Sequence, residues 1–180
     1  DCVCPSGKDN LCGHRFDRQY GELPLGYDHK YVYSHFGYNL KATDMQAAVG
    51  CAQLKKFPSV VERRIHNFNR LYEKLQVVSD KLILPKAAEH AVPSWFGFIV
   101  TCKEGVDRNK VVPYIEGKGV QTRMLFAGNL TKHPCFDQIA GDLTVTDTIM
   151  EKSFWVGVYP GMTDEMLDYM AKTMIEAVEE

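Results

Sequence analysis

Cys2, Cys4 and Cys12 form a C-x-C-x7-C pattern in an otherwise polar stretch at the amino end of the chain. In an extended backbone, residues i and i+2 project to the same side, so Cys2 and Cys4 can present both sulfurs to one centre. Pro5, Ser6, Gly7, Asp9 and Asn10 are turn formers that can swing Cys12 back toward the pair. Three converging thiolates suit zinc or an iron–sulfur cluster, and either takes four protein ligands. The fourth is His14, another local residue, or a cysteine preceding Asp1. The competing reading is three unliganded thiols in an irregular terminus, although cysteines in so polar a stretch serve no packing purpose. Cys51 and Cys102 sit among apolar neighbours and are expected to be small buried hydrophobes, whereas Cys135 after His133-Pro134 marks no site.

The chain has 180 residues, with 21 Lys+Arg against 23 Asp+Glu and a formal charge of −2. That balance excludes a polycation binding nucleic acid through phosphate neutralisation, but leaves room for a nucleotide-sized ligand. Apolar runs are only a few residues long, so no membrane-spanning helix is expected. The chain opens on Asp1, directly at the cysteine cluster, and is expected to be a piece of a longer polypeptide. Six cysteines are too few for a disulfide scaffold. With no signal-peptide pattern, they point to a reducing, cytoplasmic setting.

The elements that must position these groups are readable in part. Residues 1 to 38 are rich in Gly and Pro and lack helical period, which predicts a loop-rich arm held by a metal, ligand or partner. Within it, Lys30 to Phe36 alternates as one short strand would. Thr43-Asp44-Met45-Gln46 fits a capping box opening a small-residue helix to Lys56. Pro58 stands where a second helix would begin and run to about Leu82, its apolar face carrying Val61, Ile65, Phe68, Leu71 (or Tyr72) and Leu75. Trp95 to Lys103 and Val120 to Leu125 read as strands, separated by a short helix that Asp107 caps and Gly117 and Gly119 end. Pro113 predicts a kink or a late start in that helix. Asp147 to Val156 and Thr163 to Val178 are expected to be the last two helices. The order predicts an α/β (α+β) unit, a small sheet covered by helices, with residues 1–56 and 57–180 as its two parts.

Gly37-Tyr38-Asn39-Leu40-Lys41-Ala42-Thr43-Asp44-Met45-Gln46-Ala47-Ala48, with Gly50 and Gln53-Leu54, resembles the signature of DegT-type sugar aminotransferases, fold-type-I pyridoxal-phosphate enzymes. Three further blocks, the cysteine pattern, Pro93-Ser94-Trp95-Phe96-Gly97-Phe98 and Thr122 to Leu130, are similar to the iron–sulfur 3-dehydrase branch of that family. The likeness runs on through Trp155-Val156-Gly157-Val158-Tyr159-Pro160-Gly161. The resemblance implies the carboxy-terminal part of a homodimer that uses pyridoxamine 5'-phosphate or PLP. A histidine upstream of Asp1 would replace the usual Schiff-base lysine, and a [2Fe-2S] cluster would relay electrons from a reductase. The C3 hydroxyl of a CDP-4-keto-6-deoxyhexose would be lost, on the way to 3,6-dideoxysugars of lipopolysaccharide O-antigen.

The resemblance also assigns residues. Cys2, Cys4 and Cys12 would hold the cluster. Asn39 would meet the cofactor phosphate across the dimer, and Lys41 would add charge to the same anion; a turn asparagine and a solvated lysine are the alternatives. Phe96, where related aminotransferases carry histidine, would line the cofactor face, with strand core as the alternative. Arg123 and Asn129 would read the diphosphate and a sugar hydroxyl, against an arginine paired on the surface with a carboxylate. The base, most of the phosphate cup and the fourth cysteine would all precede Asp1, so this piece alone is expected to be inactive and to hold neither cofactor nor cluster. Two other functions fit the residues: an ordinary nucleotide-sugar aminotransferase whose cysteines decorate a loop, and a structural zinc module.

Overall fold

The computed structural model describes residues 11–38, 40–136 and 143–180. Cys2, Cys4 and Asn39 lie outside the described residues. The chain forms two compact units, one reaching to Ala47 and the other running from Ala48 to Glu180.

In the first unit, local side-chain bonds do the work of a core. Arg15 donates from Nε and Nη2 to Asp28 Oδ2 at 3.0 and 2.7 Å, and Asp28 Oδ1 accepts from the Lys30 amide at 3.1 Å. The Arg15 guanidinium holds the Asp28 carboxyl below its ordinary value. Asp28 thereby caps a 3-10 turn, His29–Tyr31. The strand expected over Lys30 to Phe36 is not formed. A lone strand leaves its amides and carbonyls unpaired, and the local cap competes successfully for the first of them.

Thr43 and Gln46 close the expected capping box. The Thr43 amide donates to Gln46 Oε1 at 2.9 Å, and the Gln46 amide donates to Thr43 Oγ1 at 3.3 Å. The helix so opened, α1 (Asp44–Leu75), is a single rod of 32 residues that continues through Pro58, not two helices, and it ends short of the expected Leu82, which lies in a strand after a 3-10 turn, Gln76–Val78. A proline in a helix interior removes one amide donor and crowds the preceding turn, at a cost of about 3 kcal/mol. Water can serve the freed carbonyl here, because residues 44–59 are all exposed. Burial of Phe68, Leu71 and Leu75 anchors the following turns. Cys51 therefore lies on an exposed surface, contrary to expectation.

The second unit folds around a four-stranded antiparallel sheet in the order β1-β2-β4-β3, made of β1 (Leu82–Ile83), β2 (Gly97–Cys102), β3 (Thr122–Met124) and β4 (Ser153–Gly157). Residues 153–156 were expected to end a helix. They form a central strand instead, preceded by the helix α3 (Thr144–Lys152). The reason is the period: Phe154 and Val156 alternate with Trp155, and each pairs with a buried partner, Val100 opposite Phe154 and Phe98 opposite Val156. Those residues meet Leu71 and Leu75 of α1, Val111 and Ile115 of α2 (Arg108–Gly117), and Leu167, Met170 and Met174 of α4 (Asp164–Glu179) in one core.

Both later helices start as expected. Asp107 accepts from the Asn109 amide at 2.9 Å, and α2 begins at once despite Pro113. Thr163 accepts from the Met166 amide at 3.3 Å, with Asp164 and Glu165 on the positive end of the α4 dipole. Cys102 is buried in the core, where desolvation pushes its thiol up to about 11. Among the described residues, no helix is long and apolar enough to cross a membrane.

Two carboxylates tie α4 to α1. Asp164 meets Arg63 at 2.9 Å, His66 at 3.0 Å and Arg70 at 3.3 Å; Asp168 meets Arg70 at 2.8 Å and Lys74 at 3.2 Å. Hydrogen bonds from His66 and Arg63 hold Asp164, and those from Arg70 and Lys74 hold Asp168, below the ordinary value of 3.8. A carboxyl with a depressed folded value adds stability that is present above its unfolded pKa and lost as pH falls through the folded one. Melting temperature measured from pH 5 downward is expected to drop steeply below pH 4, and the Asp164→Asn/Asp168→Asn double variant to melt lower at neutral pH with a flatter acid profile.

Candidate functional site

On the side of β4 away from the core, Trp155 points into a cleft of about 590 Å³ that it lines with Phe96, Thr122, Arg123, Met124 and Phe126. The indole is fixed three ways. Its Nε1 donates to the Met124 carbonyl at 3.0 Å. Its ring meets Phe96 edge-on, centroids 5.5 Å apart at 87°. Its six-membered ring lies over Gly97, where an added Cβ would come within 2.4 Å of Trp155 Cε3. Gly97 thus has a steric reason for lacking a side chain.

The loop after β3 builds the opposite wall. The Met124 carbonyl that holds the indole also accepts from the Phe126 amide at 2.7 Å. This tight turn puts Phe126 at a φ of 53°, in the left-handed region that a bulky residue seldom occupies. Gly128, at φ +66°, lies against Met150 of α3, which would stand 2.4 Å from any Cβ there. Asn129 locks the loop: its Oδ1 accepts from the Thr131 amide at 3.0 Å and hydroxyl at 2.7 Å, and its Nδ2 donates to Asp147 at 2.7 Å. Lys132 reaches Asp147 at 2.9 Å. The Asn129 amide and then the Lys132 ammonium hold the Asp147 carboxyl below its usual value.

The structure brings two of the expected site residues together. Phe96 and Arg123 line the same cleft on either side of Trp155. Phe96 is 56% exposed, so it is not strand core. The Arg123 guanidinium is exposed, and among the described residues it has no carboxylate partner. Asn129 is different. It is buried, with its carbonyl oxygen and an amide proton spent inside the loop, so in this structure it shapes the cleft wall and does not face a ligand. Lys41 lies in the first unit, exposed just before the cap of α1, also without an ion pair among the described residues.

Cys12 is half-buried beside Gly13, which turns at φ +69°. His14 shares a hydrogen bond with Asp17 through Nδ1 at 2.6 Å. No group of three His, Cys, Asp or Glu side chains converges among the described residues.

Trp155, Met124 and Phe126 are site residues that sequence reasoning missed. The signal for Trp155 was present, since Phe154-Trp155-Val156 is an aromatic and β-branched run of the kind that marks strands. The positive φ at Phe126 has no signature in its residue type.

Residues 17–175 match the model of the DegT/DnrJ/EryC1/StrS aminotransferase family. The chain belongs to this family. It is 51% identical to the lipopolysaccharide biosynthesis protein RfbH of Salmonella typhimurium over 98% of its own length and 42% of the relative's. It is 47% identical to the dTDP-4-dehydro-2,6-dideoxy-D-glucose 3-dehydratase of Saccharopolyspora spinosa over 99% of its length and 40% of the relative's. The chain therefore spans about two fifths of these DegT-family relatives. Its fold is shared with the aminotransferase from Psychrobacter cryohalolentis, at a TM-score of 0.72 and 19% identity over 88% of this chain and 45% of that one. It is shared as well with the Escherichia coli GDP-4-keto-6-deoxy-D-mannose-3-dehydratase solved with hydrated PLP, at 0.67 and 22% over 81% and 38%. The α+β reading of a small sheet covered by helices, within a fold-type-I transferase, thus holds.

Gly97→Ala tests the seating of the indole. The added methyl must displace Trp155, and overpacking of this kind costs about 1–3 kcal/mol. The expected outcome is a lower denaturation midpoint together with altered tryptophan fluorescence, whereas Gly117→Ala, a site with open space around it, should change neither signal comparably.

Proposed function

We propose that this chain is part of a pyridoxamine- or pyridoxal-phosphate-dependent dehydratase that removes the C3 hydroxyl of a nucleotide-linked 4-keto-6-deoxyhexose, a CDP-sugar in the narrowest form of the reading. The observation that carries it is identity near one half, almost end to end, with a relative named a sugar 3-dehydratase. The pairing around Trp155 of Phe96 with Arg123, which has no carboxylate partner among the described residues, supports it. An aromatic-walled cleft with an exposed guanidinium suits a sugar ring that carries a diphosphate.

The residues present fit the cofactor as far as they reach. Lys41, exposed and without an ion pair among the described residues, stands just before the first turn of a 32-residue helix, where amide donors and the dipole favour phosphate. Asn39 would add an amide donor beside it. When bound, the cofactor would supply the electron sink through which the C3 hydroxyl can leave. The tasks of this chain are then to bind and to exclude. Arg123 holds the diphosphate and orients the sugar. Phe96 closes the ring face without offering a titratable atom, so no proton is passed at this position and amination is disfavoured. Asn129 and Asp147 keep the loop wall in place.

Cys2, Cys4 and Cys12, with a fourth cysteine upstream, are the proposed ligands of a [2Fe-2S] cluster that accepts electrons from a reductase. The half-exposed Cys12 in a glycine turn is compatible with that role. The setting is a cytoplasmic homodimer, and the product a 3,6-dideoxysugar of O-antigen.

The full-length protein, purified anaerobically and supplied with the CDP-linked keto sugar, pyridoxamine phosphate and a one-electron donor, should be reddish-brown and release a C3-deoxygenated sugar. Colourless, iron-free protein that adds an amino group instead would overturn the proposal. Cys12→Ser should remove most of the iron and sulfide. Arg123→Gln should raise KM about 10- to 100-fold with little change in kcat, the loss of about 1.5–3 kcal/mol for a charged hydrogen bond.

A further inference from the structure

Arg123 and Trp155 line a second hollow as well. Beside the cleft, a groove of about 570 Å³ runs between the sheet and the first half of α4, with Gln121, Tyr159, Glu165, Met166 and Tyr169 among its walls. Nothing in the reading above uses it.

Its aromatic walls are held in place, each by a different contact. Tyr169 donates its hydroxyl to the Lys118 carbonyl at 2.9 Å. Tyr159 folds over Gly161, where a Cβ would come within 2.7 Å of its ring. The backbone beneath is tied to α1: Asn67 Nδ2 donates to the Tyr159 carbonyl at 2.8 Å, and Arg63 Nη2 donates to the Met162 carbonyl at 2.8 Å. Trp155 is fixed by Gly97 and the Met124 carbonyl, as described above. A groove whose rings are immobilised before a ligand arrives loses little side-chain entropy on binding, which is the condition for recognising a flat ring by its faces.

We propose that this groove takes the base and ribose of a nucleoside diphosphate, its phosphates meeting Arg123 at the boundary, while the attached sugar lies in the cleft beside Phe96. The proposal rests on the nucleotide-sugar reading above and adds to it a division of labour. Two hollows share one guanidinium, and a nucleoside diphospho-sugar has its diphosphate between two rings. Tyr159, Tyr169 and Trp155 offer stacking surface, Met166 adapts to the ring edge, and Gln121 supplies an amide for a polar edge.

The test uses free nucleoside diphosphates, CDP, dTDP and GDP, with inorganic pyrophosphate as the probe that lacks a base, titrated calorimetrically without sugar or cofactor. At least one nucleoside diphosphate should bind more tightly than pyrophosphate. Tyr169→Ala should weaken it about tenfold or more, the usual effect of removing one stacking ring. Tyr169→Phe, which keeps the ring and loses only the hydroxyl, should stay within about threefold. Met166→Glu, at an exposed helix position, should weaken nucleotide binding comparably by adding a second carboxylate beside that of Glu165. Pyrophosphate binding should depend on Arg123 and not on Tyr169. Equal affinity for pyrophosphate and the nucleotides, or nucleotide affinity untouched by Tyr169→Ala and Met166→Glu, overturns the proposal. The outcome is separable from the chemistry: an enzyme that aminates its substrate would still fill this groove, and a working dehydratase with unchanged nucleotide affinity would sink the groove alone.

Discussion

The second unit depends on a steric exchange between two strands: β4 spends the bulk of Trp155 where β2 has no side chain at all. Because Gly97 leaves its place vacant, the indole lies flat on the sheet and reaches the Met124 carbonyl. That carbonyl in turn holds the Phe126 amide, so the loop after β3 starts from a point set by the tryptophan. Successive residues of β4 serve opposite purposes. Phe154 and Val156 close the core, and Trp155 between them walls both hollows. Site and core are therefore coupled at single-residue spacing, and disturbance of one strand register would spoil both.

Much of this was legible beforehand. The capping box at Thr43, the caps at Asp107 and Thr163, and the strand after Trp95 all follow from local chemistry, since each uses partners within a few residues. What failed needed distant information. Pro58 reads as a boundary because its penalty is local, while the burial that carries the helix onward, at Phe68, Leu71 and Leu75, comes from strands and helices far along the chain. Residues 153–156 read as a helix end because α3 runs straight into them. Their strand character is settled by pairing on both sides, with β2 and β3.

The site divides in the same way. Arg123 was recognisable as a residue type suited to a diphosphate, and Phe96 only through the family resemblance, since its composition alone reads as strand core; the fold has both line one cleft with Trp155. Asn129 was recognisable as polar and next to a turn, yet its burial and its bonds to Thr131 and Asp147 come from the packing of α3 on the loop, which no short motif displays. The groove beside α4 was invisible for a related reason: its walls are drawn from β3, β4 and α4, and its rigidity from α1.

The burial of Cys102 has a practical corollary. With its sulfur shut away from solvent and its proton retained to about pH 11, it is silent toward alkylating and oxidising reagents while the fold is intact. Cys51 and Cys135 are open to the same reagents. Counting labelled sulfhydryls in the native state against the total after unfolding thus carries its own internal blank, and any slow additional label reports the opening of the β2–β4 core in real time.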